Sequence, residues 1–204
     1  MNALDERLNP RLRRVYIEDA VETKNLLERG YHQVKIKVDP FERGAGRSHS
    51  KELEIVKVLH RSPDLVVLSE IQSEEHSRAF FHALSAGVRG MQTFHAHTAE
   101  QAVRRWTNVH GIPKPGLLDL GVLVQMGRPE RLSPARQVAR VCVMVADGGE
   151  PRIRDVFMRD RSSALLRVVE WDRVEPPGGR GTGEFVGRIQ RLQGALEKEA
   201  RAEC

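Results

Sequence analysis

A chain of 204 residues, 40% of them hydrophobic, is long enough for one full core and too short for two comfortable ones. Its net charge of +5 comes from 33 basic and 28 acidic residues, and the basic ones are spread out rather than interleaved with stacking aromatics. That pattern favours a solvated, arginine-rich surface over a nucleic-acid groove. Two distant cysteines, Cys142 and Cys204, exclude a disulfide scaffold, no apolar run is long enough for a membrane span, and the first residues are too charged for a signal peptide.

In chain order, Leu4 to Leu12 reads as the end of a helix with its exit loop, and Arg14 to Glu18 as a buried strand. Val34 to Val38 alternates with period two, which predicts a half-exposed strand. Asp39 to Arg47 is a loop, holding Pro40, Gly44 and Gly46. Ser50 to His60 reads as a helix that Pro63 follows. Ala79, Phe80, Ala83, Leu84 and Gly87 fall at helical spacing and predict a core face. Thr98 is a predicted N-cap for a helix whose apolar stripe is Ala99, Ala102, Val103 and Trp106.

Beyond Gly111 the pattern becomes β, with strands expected at Leu120 to Val124, Val138 to Val145, Arg152 to Phe157 and Leu165 to Val169. Gly148-Gly149-Glu150-Pro151 marks a turn between two of them. Pro176 to Gly183 reads as a hinge, and Phe185, Ile189, Leu192 and Leu196 mark a terminal amphipathic helix.

The stretch from Asp64 to His97 carries the chemistry. The apolar run Leu65-Val66-Val67-Leu68 ends two residues later in a lone carboxylate, Glu70. A helix, a glycine turn and a short strand, Gln92-Thr93-Phe94, then lead to His95. Two buried parallel strands that deliver a Glu and a His from their carboxyl ends fit a nucleotide-hydrolysing α/β domain. A zinc site built on His95 and His97 is not expected, because no further ligand stands at suitable spacing.

This stretch resembles the Walker B and His-box region of the type II/type IV secretion ATPases, the motors of pili, archaella and conjugation. The matching residues are Ser69-Glu70-Ile71-Gln72, Glu74-Glu75, Ala83 to Gly87 and Thr93-Phe94-His95-Ala96-His97. Upstream, Val15 to Glu22 resembles the family's Asp box. Downstream, Ile112-Pro113 and Leu117 to Gln125 resemble a stretch typical of its archaeal-like branch. The chain departs from the pattern at four positions. Ser69 stands for Gly, Gln72 for Arg, Val88 for the His of a Thr-Gly-His turn, and His97 for Asn.

The resemblance implies a RecA-like P-loop NTPase core, a mostly parallel sheet with flanking helices, with a small β-rich C-terminal extension and a terminal helix. The expected organisation is a partial core over 1–125, its β-rich continuation over 126–175, a hinge at 176–183 and a helix at 184–204. Glu70 and His95 would be catalytic, the one orienting the attacking water and the other sensing the terminal phosphate. Glu18, Asp19 and Glu22 would hold Mg²⁺ through waters, and Arg43 and Arg47 would be arginine fingers toward a neighbouring subunit.

ATP and Mg²⁺ belong to the complete enzyme, and neither is expected to bind this chain tightly. Its partners would be further copies in a hexameric ring and a membrane platform protein, at the cytoplasmic inner face of the membrane. No specific nucleic acid is expected. Two alternatives stay open, an inactive paralogue serving as an assembly or regulatory subunit, and a basic nucleic-acid-binding protein.

The 204 residues contain no G-x-x-x-x-G-K-[ST] phosphate loop. The resemblance therefore implies an N-terminally truncated core that starts just past that loop and is inactive in isolation. It also implies a strand missing beside the Asp-box or Walker B-like strand. An exposed apolar groove next to Tyr16, marginal stability and self-association are expected to follow.

Overall fold

The computed structural model describes residues 1–39, 50–128, 136–159 and, for the backbone alone, 166–168. The expectations for Arg43, Arg47, the hinge at 176–183 and the helix at 184–204 lie outside the described residues. The chain divides into two compact units, Met1–Asp119 and Leu120–Cys204.

In the first unit, strands β1 (Arg14–Glu18), β2 (Gln33–Lys37), β3 (Leu65–Ile71) and β4 (Arg89–Phe94) form a sheet in the order β2-β1-β3-β4. All three pairings are parallel. The central strands β1 and β3 are buried without alternation because both of their faces are covered. Val15, Ile17, Val66, Leu68 and Ile71 pack on one side against Ile55 and Val58 of α2 (Lys51–Val58) and Ala79, Phe80 and Ala83 of α3 (Glu74–Ser85). On the other side Tyr16, Leu65 and Val67 meet Met1, Leu8 and Met91. Met1 precedes the short helix α1 (Asn2–Asp5).

Two expectations are corrected. No groove opens beside Tyr16, because β1 is hydrogen-bonded to β2 on one side and β3 on the other, and Tyr16 is fully buried. The strand at Gln33–Lys37 supplies the neighbour that the groove presupposed to be missing. β4 was expected to be buried like β3, but it is the outermost strand on its side of the sheet, so its residues are half-buried or exposed.

Helix starts follow local chemistry. Ser50, Ser73 and Thr98 each accept a hydrogen bond from the backbone N–H three residues on, in Leu53, His76 and Gln101. Thr98 thereby opens α4 (Ala99–Asn108), whose buried face is Ala99, Ala102 and Trp106. Helix α3 ends in a Schellman turn, with Val88 N–H donating to the Ala83 carbonyl and Gly87 N–H to that of Leu84. Gly87 has φ +86° and is exposed, so it terminates the helix rather than joining its core face. No helix among the described residues is long and apolar enough to cross a membrane.

The second unit is an antiparallel sheet of β5 (Val122–Gly127), β6 (Gln137–Asp147), β7 (Glu150–Arg159) and β8 (Leu166–Val168), paired in that order. Gly148 and Gly149, both at positive φ, make the tight turn between β6 and β7. Among the described residues of its strands, Cys142, Val143, Met144 and Val156 are buried.

Candidate functional site at the carboxyl edge of the parallel sheet

Because β1 to β4 run parallel, their carboxyl ends lie along one edge of the sheet, where ligands of such folds bind. Glu18 closes β1 and Asp19 follows it, Glu70 is the penultimate residue of β3, and His95 follows β4. The pairing of β3 with β4 steps from Val67↔Met91 to Glu70↔Thr93, three residues against two. This bulge inserts one extra residue in β3 just before Glu70. Where the ladder is interrupted, the Thr93 hydroxyl donates to the Ser69 carbonyl.

Glu70 and His95 are brought together, with Nε2 of the imidazole 3.1 Å from Oε1 of the carboxylate. The His95 side chain is 85% exposed and that of Glu70 29%, so the pair faces solvent from a firm base. Gln72 Nε2 donates to the other Glu70 oxygen at 3.3 Å. Arg105 of α4 braces the segments after both strands. Its Nη1 donates to the His95 carbonyl at 3.1 Å and its Nη2 to the Gln72 carbonyl at 3.4 Å, while the guanidinium lies over the Phe94 ring. A carboxylate hydrogen-bonded to an imidazole can orient a water and accept its proton.

The acidic residues after β1 do different work. Glu18, with its side chain 2% exposed, accepts backbone hydrogen bonds from Glu22 and Thr23 at 3.1 and 2.9 Å. Its carboxylate therefore organises the turn that follows β1. Asp19 Oδ1 accepts from Ser69 Oγ at 2.7 Å and from the Ala20 amide, and its Oδ2 accepts from Lys51 Nζ at 3.1 Å. Burial pushes the Asp19 carboxyl up, but the Ser69 hydrogen bond and the Lys51 hydrogen bond and charge outweigh it and hold the pKa at about 2. Glu22 is exposed.

This donor set does not fit the divalent cation that the resemblance implies. Glu18 Oε1 receives two backbone amides and its Oε2 faces Lys35 Nζ at 3.9 Å, and both Asp19 oxygens already receive donors. Among the described residues no three His, Cys, Asp or Glu side chains converge as a metal site.

Lys51, Ser69 and Arg105 are the edge residues whose roles sequence reasoning missed. Ser69 had stood out as a departure from a family glycine, and here its hydroxyl links β3 to Asp19. The signal for Lys51 was a cation in the first turn of a helix, where the macrodipole disfavours it. Arg105 gave no signal beyond its place on a polar helix face.

Residues 1–122, more than half of the chain, match the family described as Type II/IV secretion system protein, and the chain belongs to that family. A solved structure similar to it is the VirB11 ATPase of the Brucella suis type IV secretion system in complex with sulphate. The two share 17% identity at a TM-score of 0.55, over 70% of this chain and 43% of that one. A second, the Legionella pneumophila ATPase DotB, shares 14% identity at a TM-score of 0.49, over 64% of this chain and 36% of that one. At 17% identity the likeness to VirB11 is one of fold, and the chain spans less than half the length of that protein. A comparison with curated protein sequences finds no match.

Proposed function

We propose that this chain is the strand-edge portion of a secretion ATPase, a motor that couples ATP hydrolysis to protein secretion or pilus-type filament assembly. The observation that carries the reading is the Glu70–His95 pair at 3.1 Å, at the carboxyl ends of adjacent parallel strands. Phosphoryl transfer to water needs an in-line nucleophile and little covalent chemistry from the protein. In this reading Glu70 orients that water and takes its proton. His95 steadies the carboxylate and meets the terminal phosphate, and Arg105 holds both strand ends in place.

The phosphates themselves require a cradle of backbone amides and a lysine, a motif these 204 residues do not contain. A segment carrying that loop must therefore join this edge for turnover. The assembled form would be a ring, by the family habit a hexamer, working at the cytoplasmic face of a membrane platform protein.

The test is phosphate release by the chain alone and with a phosphate-loop segment of the family supplied in trans. The chain alone should be silent. The complemented form should turn over ATP, and Glu70→Gln should lower that rate by roughly 10²–10⁴-fold. Turnover that is unaffected by Glu70→Gln would overturn the assignment. A second reading, a catalytically silent assembly subunit, is favoured by Gln72, whose neutral amide meets Glu70 where the resemblance places an arginine. ATP binding without turnover in the complemented form would select it.

A further inference from the structure

Lys51 stands at the first position of α2, just after the Ser50 cap, yet its side chain is 2% exposed. Its Nζ lies 2.8 Å from the Glu70 carbonyl, 3.1 Å from Asp19 Oδ2 and 3.4 Å from Ser69 Oγ. These three oxygens come from the ends of β1 and β3 and converge on one cationic atom.

Neither helix propensity nor solvation accounts for an ammonium there. The amino end of a helix carries partial positive charge, and a buried ammonium without oxygen partners would lose its proton or expel the side chain. The oxygens therefore select the cation. Their spacing is that of hydrogen bonds to nitrogen, wider than the ~2.1 Å shell that Mg²⁺ demands. The Asp19 carboxylate in contact with the ammonium is of opposite charge and pairs with it.

We propose that Lys51 is a tethered cation filling the cation site of this sheet edge, so that Asp19, Ser69 and the Glu70 carbonyl hold the chain's own ammonium in place of a divalent metal ion. Any anionic ligand bound at this edge then meets a charge-balanced Asp19 without recruiting metal there. Cation occupancy is measured directly, and it can succeed or fail independently of ATP turnover.

The test uses the full chain with Mn²⁺ as the probe, read from the electron paramagnetic resonance signal of the free ion. Wild type should show the same Mn²⁺ binding as Asp19→Asn, because the Asp19 site admits no metal. Lys51→Met frees the oxygens at similar side-chain length, and it should gain a Mn²⁺ site roughly tenfold or more tighter than any on wild type, as expected when a neighbouring positive charge is withdrawn. That site should vanish in the double variant Lys51→Met/Asp19→Asn. Equal Mn²⁺ binding by wild type and Lys51→Met, or a gain that survives Asp19→Asn, would overturn the proposal. If Lys51→Met does not fold, wild type answers alone through the ¹⁵N resonance of the Lys51 ammonium. The proposal requires that resonance to stay unshifted in excess Mg²⁺, and its displacement by Mg²⁺ sinks it.

Discussion

Leu68 and Ile71 lie on the same core face of the parallel sheet although three positions separate them. In a regular strand an odd spacing sends two side chains to opposite faces. The extra residue between Val67 and Glu70 absorbs the mismatch, so β3 buries both aliphatic side chains and still presents Glu70 at the sheet edge. The bulge is thus what makes a core strand compatible with a reactive carboxylate near its end.

The Thr93 hydroxyl, which donates to the Ser69 carbonyl, is placed to hold that bulge. Thr93→Val keeps the shape and removes the donor. It should lower unfolding stability in urea by about 1–2 kcal/mol, the cost of a carbonyl deprived of its partner. An unchanged midpoint and slope would show that the bulge stands without it.

Glu18 and Glu70 should separate cleanly by substitution. Glu18→Gln weakens a buried acceptor of two backbone amides and should cost roughly 1–3 kcal/mol. Glu70→Gln alters a partly exposed side chain and should stay within about 0.5 kcal/mol of wild type. Chemical denaturation of both variants checks the contrast, and the reverse order would return Glu18 to the site.

Gly90 of β4 packs against the ring of Phe80, and a Cβ built at position 90 would overlap that ring. Phe80 is buried between α3 and the sheet and has little room to yield. Gly90→Ala should therefore destabilise the chain by about 1–3 kcal/mol, as overpacking does. A thermal melt unchanged from wild type would be inconsistent with this packing.

His110 gives the stability a pH dependence of defined sign. Its Nδ1 is 2.6 Å from Ser77 Oγ in a buried setting, and burial, followed by the charge of Arg105, holds its pKa below the usual 6.5. The folded state thus favours the neutral ring, while the unfolded state takes up a proton near pH 6.5. The contribution of His110 is complete above about pH 6.5 and declines as pH falls from there through the folded pKa. Melting temperatures of wild type should drop over that interval more steeply than those of His110→Gln. Parallel curves for the two proteins would exclude His110 as the source.

Much of this was legible in the sequence where the cause is local. Consecutive apolar residues, Val15 to Ile17 and Leu65 to Leu68, marked β1 and β3, and Thr98 announced α4 through its own hydroxyl. The meeting of Glu70 with His95 followed from two parallel strands, with the one residue next to the end of β3 and the other just past the end of β4. What stayed hidden depends on contacts between distant segments. A Glu at a strand end looks the same whether it faces a ligand or the amides of Glu22 and Thr23. A lysine beside a helix cap reads as solvated until Asp19, 32 positions away, is brought against it. The half-exposed state of β4 and the closed flank of Tyr16 are set by strand order, which no single segment encodes.

The fit of Phe80 against Gly90 also ties two distant letters of the sequence to one another. A relative that acquires a side chain at the second position needs a smaller residue at the first, since the space between helix and strand accommodates one of them and not both. Aligned family members should therefore show these columns changing in concert, with bulk traded across the helix–strand boundary rather than gained on either side.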